Sequence, residues 1–182
     1  GGAYNNISRT TLKSLGVVPD AVLDKAAPYA RIALFKDLHK QAYSVGLVGM
    51  QGNLRATGSP SGASDKFTDI GLDANYQFLG NRKHIFTVDS SLIRERQSRD
   101  AAMAAGDADN LKGNLNQFSL AGSYYYNQAY GLTARVFDIR GNADASYYNP
   151  DDFSNGSPNT RGYMLQADWT PLSNSDAFST FL

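Results

Sequence analysis

Lys66 to Phe78, KFTDIGLDANYQF, divides cleanly at a period of two. Ile70, Leu72, Ala74, Tyr76 and Phe78 fall on one side, and Asp69, Gly71, Asp73, Asn75 and Gln77 on the other. Successive side chains of an extended chain point to opposite faces, so the segment reads as a strand with one apolar and one wet face. Its neighbours repeat the pattern. After the turn-forming Gly80-Asn81-Arg82, His84 to Arg96 sets Phe86, Val88 and Leu92 against Thr87, Asp89, Ser91 and Glu95. Leu115 to Tyr126 sets Phe118, Leu120, Tyr124 and Tyr126 against Gln117, Ser119, Ala121 and Ser123.

Tyr130 to Ile139 answers across the turn Asn127-Gln128-Ala129, and Gly162 to Thr170 follows, ended by Pro171, which has no donor for a ladder. On the N-terminal side, Ala30 to Lys36 carries Ile32 and Leu34 on one face, and Asp37 to Lys40 turns the chain into Gln41 to Leu54. Glycines at 46, 49 and 52 blur the faces of that strand, and a first strand is expected over Gly2 to Leu12. In the polar stretch after Gln97, Asp100 is placed to cap a short helix closed by Gly106.

Connections alternate between short turns and long polar loops at about residues 13–29, 55–65, 97–113 and 142–160. Two-faced strands of this kind, joined alternately in this way, are the sequence pattern of an outer-membrane barrel, with short turns periplasmic and long loops extracellular. The expected fold is therefore all-β, an antiparallel transmembrane β-barrel in meander order, of which residues 1–182 form a single partial domain of about seven to eight strands. An intact barrel would be longer and even-stranded, since lipid does not tolerate open edges.

The 182 residues include 17 Lys+Arg, 17 Asp+Glu and no Cys, with 42% hydrophobic residues. No stretch approaches the roughly 18 apolar residues of a membrane-spanning helix. Zero net charge gives no footprint for nucleic acid. Without cysteine there is no disulfide framework, thiolate metal site or C-x-x-C-H haem attachment. Neither His39 nor His84 has partners at metal-ligand spacing, and no G-x-S-x-G elbow supports catalysis. Asp107-Ala108-Asp109-Asn110 and Asp151-Asp152 lack the glycine and glutamate of a calcium loop. No enzyme activity, cofactor or metal is expected.

Three sets of residues carry the functional reading. Tyr76, Phe78, Phe86, Tyr124, Tyr126, Tyr130 and Trp169 lie on the outward parity beside short turns, as an aromatic girdle at the headgroup boundary. Lys66, Arg94, Arg96, Arg140 and Arg161 lie on the same parity at the long-loop rim, where they would meet lipid phosphates or remain solvated; Asp138 shares that parity. Arg31, Asp69, Asp73, Asp89, Arg135 and Asp168 face the other way, as lumen-lining charge that either biases ion passage or pairs across strands and fills a narrow interior. The readings that remain are a channel for ions or small solutes, a structural or adhesive barrel with a plugged lumen, and a soluble β-sandwich.

SRTTLKSLGVVPD, DKFTDIGLDANYQFLG, LIRERQ, GSYYYNQAYGLT, GNADASYYNP and NGSPNTRGY together resemble a family of Gram-negative outer-membrane, porin-like β-barrel proteins, often encoded near c-type cytochromes. The resemblance runs from about Ser8 to Pro171. It implies the bacterial outer membrane, contact with outer-membrane lipid or lipopolysaccharide, and transport or the sheathing of a c-type cytochrome in electron transfer. Members of that family continue beyond the position of Leu182, so this chain is expected to be an internal part of a barrel lacking both flanks.

Overall fold

A computed structural model describes residues 1–5, 21–56, 62–80, 83–149, 151 and 153–170. They form one antiparallel sheet: β1 (Gly2–Tyr4), β2 (Ala21–Leu23), β3 (Ala27–Asp37), β4 (Gln41–Ala56), β5 (Asp65–Phe78), β6 (His84–Ser98), β7 (Lys112–Tyr126), β8 (Tyr130–Gly141) and β9 (Thr160–Trp169). A short helix α1 (Asp100–Ala105) and one 3₁₀ turn at Ser154–Gly156 lie in long loops. From β3 onward each strand pairs with its sequence neighbours, a meander, while β1 pairs with β3 and β2 with β4. Among the described residues β1 and β9 do not pair, and the sheet is open rather than a closed barrel.

The strands are long. β4 to β7 have 16, 14, 15 and 15 residues, beyond the roughly 9–11 that cross a bilayer at a tilt of about 45°. Each pair keeps one register over its whole length, so the parity expected at Lys66 to Phe78 propagates across the sheet. It also assigns the strand that glycines obscure. Leu72 stands opposite Leu47 and Ala74 opposite Val45, which places Tyr43, Val45 and Leu47 on the apolar face and Ser44, Gly46 and Val48 on the other.

The β7–β8 turn is built as expected, and residues 81 and 82 of the expected Gly80-Asn81-Arg82 turn lie outside the described residues. In the β7–β8 hairpin Asn127 and Gln128 both have positive φ, 52° and 58°, and the Ala129 N–H donates to the Tyr126 carbonyl at 3.1 Å. Two successive left-handed residues match the right-handed twist of the flanking strands.

Several expectations need correcting. Among the described residues the strands number nine, because β2 lies inside the expected loop 13–29, as does the start of β3. β2 has only three residues, too few to show alternation, and is held by pairing Ala21 to Leu23 with Ala56 to Leu54 and by an Arg55–Asp24 ion pair at 3.2 Å. The expected first strand ends early, at Tyr4, and residues 6–12 lie outside the described residues. The expected loops 55–65 and 97–113 are trimmed at both ends, by strands reaching Ala56 and Ser98 and resuming at Asp65 and Lys112, and loop 142–160 only at its end, by Thr160. Helix α1 is not capped by Asp100, which sits in its first turn. Asp65, from the start of β5, instead accepts the N–H groups of Ala101 and Ala102 at 2.8 and 3.2 Å. Gly106 closes the helix at φ 80°, as expected.

Candidate functional site

The apolar face is bare. Ile32, Leu34, Tyr163 and Leu165 are 76, 80, 79 and 69% exposed, and Val45, Leu47, Ile70, Leu72, Leu92 and Leu132 are all more than half exposed. A continuous apolar surface across seven strands far exceeds the patch of a few hundred Å² that an ordinary soluble surface carries.

The register stacks this face into bands. Reading across register partners, one row is Ile32, Leu47, Leu72, Leu92 and Phe118, ending in Asp138 and Arg161 on β8 and β9. The next row toward the long loops is Ile70, Arg94, Asn116 and Arg140, and above it stand Arg96 and then Lys66 and Lys112. Toward the short turns the rows become aromatic: Phe78, Phe86 and Tyr124, then Tyr126, Tyr130 and Trp169. Tyr76 and Phe86 meet edge to face at 6.4 Å, and the Tyr124 hydroxyl lies 2.6 Å from His84 Nδ1. All five expected rim cations and all seven expected girdle aromatics thus lie on the apolar face, at opposite ends.

The bands do not run parallel to the rows. On β9 the first basic residue, Arg161, lies in the row of Leu72 and Leu92, one step lower than Arg94. At the other end, Lys36 on β3 shares a row with Tyr43 and Tyr76, whereas Trp169 on β9 lies two rows further down. Both boundaries slant the same way across the sheet, as they must if the strands tilt relative to a flat apolar layer.

The other face carries Arg31, Asp69, Asp73, Asp89, Arg135 and Asp168, as the alternation requires. Arg31 and Asp73 form a two-pronged ion pair, with Nε donating to Oδ2 at 2.9 Å and Nη2 donating to Oδ1. The pair bridges across β4 at Gly46, where a Cβ would lie 2.6 Å from Asp73 Oδ2 and 2.8 Å from Arg31 Nη2. Asp89 accepts from Asn75 Nδ2 at 2.5 Å, and Asp168 from Gln166 Nε2 at 2.7 Å and the Tyr125 hydroxyl at 3.4 Å. Asp89 and Arg135 share a row with Ala121 between them, and among the described residues no ion pair joins them. Asp69 stands directly opposite Glu95, with Oδ1 buried and unpartnered. Phe35, Ile93, Phe137 and Met164 interrupt this face, so it is mixed rather than uniformly wet.

At the long-loop end of the polar face the β6–β7 and β8–β9 loops lock together, a feature absent from the sequence expectations. Arg99, fully buried, donates from Nη1 to Asp144 Oδ2 at 2.6 Å and from Nε to Gln97 Oε1 at 2.9 Å, and its guanidinium lies 4.0 Å from the Tyr147 ring centroid. Asp144 also receives the N–H groups of Asp109, Asn110 and Tyr147 at 3.0, 3.0 and 3.1 Å. Burial pushes the Asp144 carboxyl up, but these backbone donors and the Arg99 charge outweigh it and hold it below the usual carboxylate range. Asp109, weighed as a calcium ligand, instead accepts from the Ser146 hydroxyl at 2.8 Å and its N–H at 3.2 Å.

Glycines show where the lock lies. A Cβ on Gly113 would meet Gln97 Oε1 at 2.6 Å, and one on Gly141 would meet Pro158 Cγ at 2.8 Å. Both glycines have polar-face parity, so the loops cover that face and leave the apolar one open. One signal for this cap was readable: Glu95, Gln97 and Arg99 continue the polar parity past the strand end. Comparison of the chain with family models, curated proteins and solved structures finds no match.

Proposed function

We propose that this chain forms part of the wall of an outer-membrane β-barrel that passes ions or small solutes along its polar face. The observation that carries the reading is the banding of the exposed face: cations toward the long loops, aliphatic side chains between, aromatic rings toward the short turns, all on a common slant. Water rewards none of this order, since a soluble sheet would bury Ile32, Leu34, Tyr163 and Leu165 against a second layer. A bilayer rewards each band. Hydrocarbon accepts the aliphatic rows, rings favour the headgroup boundary, and arginine is tolerated near the interface but not at the midplane. The long loops would then be extracellular and the short turns periplasmic.

The opposite face supplies what a passage needs: water-holding carboxylates, amides and hydroxyls from seven strands, closed at the extracellular end by the Arg99–Asp144 lock. That lock favours a second reading, a barrel whose mouth is plugged. Conductance of the full-length protein in planar bilayers separates them. Stable current steps support the passage, insertion without steps supports the plug, and failure to enter bilayers overturns both. If the barrel sheathes an electron carrier, the protein purified from membranes brings haem absorbance with it.

A further inference from the structure

The basic rim is not spread evenly around the exposed face. Arg94, Asn116 and Arg140 stand side by side on β6, β7 and β8, register partner to register partner. The row below them, toward the short turns, is Leu72, Leu92 and Phe118. Together these six residues line a groove of about 370 Å³ on the apolar face, polar at its upper end and apolar along its floor.

Neighbouring strands lie about 4.8 Å apart, so Arg94 and Arg140 are rooted about 10 Å from one another with the Asn116 amide between. Two guanidinium groups over such a span can close on one phosphate from both sides, and each matches its oxygens with paired donors. Arg96 adds a third cation one row higher on β6. Asp138 also lines the groove, beside Phe118 in the row below Arg140, and accepts from Arg140 Nε at 2.7 Å. That ion pair takes Arg140 Nε and leaves its two terminal nitrogens for a ligand.

A site built for a free anion would not continue into an apolar trough. Leu72 and Leu92 are 51 and 54% exposed, and the trough runs on into the bare aliphatic rows. The structure assigns this groove, we infer, to one phosphorylated, acylated lipid of the outer leaflet. Arg94 and Arg140 hold its phosphate, Asn116 donates to it, and an acyl chain lies along Leu92 and Phe118. This rests on the outer-membrane reading, and it adds a discrete site to what would otherwise be a diffuse rim.

The full-length protein, inserted in zwitterionic vesicles, is titrated with lipid A, the phosphorylated and acylated disaccharide, and separately with inorganic phosphate. Bound lipid is read by native mass spectrometry after transfer to detergent. Charge-assisted hydrogen bonds contribute about 1.5–3 kcal/mol each, so Arg94→Gln/Arg140→Gln is expected to weaken lipid A binding about tenfold or more. Lys40→Gln, in the short turn between β3 and β4 at the opposite end of the sheet, is expected to leave it unchanged. Heat-modifiable electrophoretic mobility shows that each variant still folds and inserts. Equal lipid binding by wild type and the double variant overturns the site, and so does inorganic phosphate competing as well as the lipid. Failure of the wild-type protein to insert at all overturns the membrane reading instead, and the inference with it.

Discussion

Arg99 and Asp144, 45 residues apart in sequence, meet at 2.6 Å with both side chains wholly buried. Removing one partner of such a pair leaves an uncompensated buried charge, at a cost of about 3–5 kcal/mol. Asp144→Ala is therefore expected to free the two loops locally while leaving the sheet intact. Amide exchange at Asp109, Asn110 and Tyr147 should rise by orders of magnitude, with exchange in β5 to β7 unchanged. Asp144→Asn, which keeps one side-chain oxygen for those N–H groups, should lose less protection than Asp144→Ala. Protection unaltered in the single variant would mean that the lock does not hold the loops.

The same carboxyl gives the lock a pH dependence of definite sign. Asp144 is held below the usual carboxylate range in the folded protein, so its contribution is present above the ordinary aspartate value of about 4 and is lost as pH falls through its depressed folded value. The loops should stay closed from neutral pH down to about 4 and loosen only below it. Exchange at the Tyr147 amide, corrected for intrinsic rates, measures this; loosening already between pH 7 and 5 would refute it.

Arginine at Leu72 tests the apolar band. At the bilayer midplane this change costs about 2–4 kcal/mol, whereas leucine at Arg94, near the interface, should cost little. Reversible folding into lipid vesicles compares the two directly. Equal effects would show that the band does not face hydrocarbon.

The polar face is expected to prefer cations. Arg31 is taken up by Asp73, whereas Asp69 and Glu95 oppose one another directly, a like-charged arrangement that favours a mobile counter-ion between them. If the full-length protein conducts as proposed, its reversal potential under a KCl gradient should carry the cation sign and move toward zero in Asp69→Asn/Glu95→Gln. An anion-selective wild type would contradict this assignment.

Gly46 is the position where local geometry controls charge. Alanine there would place a methyl group against both Arg31 and Asp73 and split the pair, releasing one cation and one anion onto the face. Because both side chains are substantially exposed, stability should change little. Single-channel conductance and its salt dependence should change more, and identical values in Gly46→Ala would mean that the pair has no part in passage.

Much of the sheet was legible because its signal is local. From Lys66 to Trp169 the strands alternate over most of their length, with interruptions such as Ile93, Phe137 and Met164, and the short turns carry Gly, Asn or Gln at the bends. The rim and girdle followed by extending one parity to its ends. β4 was opaque because Gly46 and Gly49 have no side chain to declare a face, and only pairing with β5 supplied it. β2 was missed because three residues cannot show a period. The loop lock was missed for another reason: nothing in sequence links Arg99 to Asp144 until two long loops fold onto the same side. Asp65 as the helix cap is hidden likewise, since the donor and acceptor sit 36 residues apart.

From β3 to β9 every strand is laid against the one just made, so no hairpin depends on a distant segment for its partners. Such a sheet can grow or shrink by whole hairpins. Duplicating or deleting two strands shifts the width of the sheet in discrete steps while each remaining pair keeps its register, its bands and its slant. Width can thus be retuned over evolutionary time by copying a module, without redesigning the sheet.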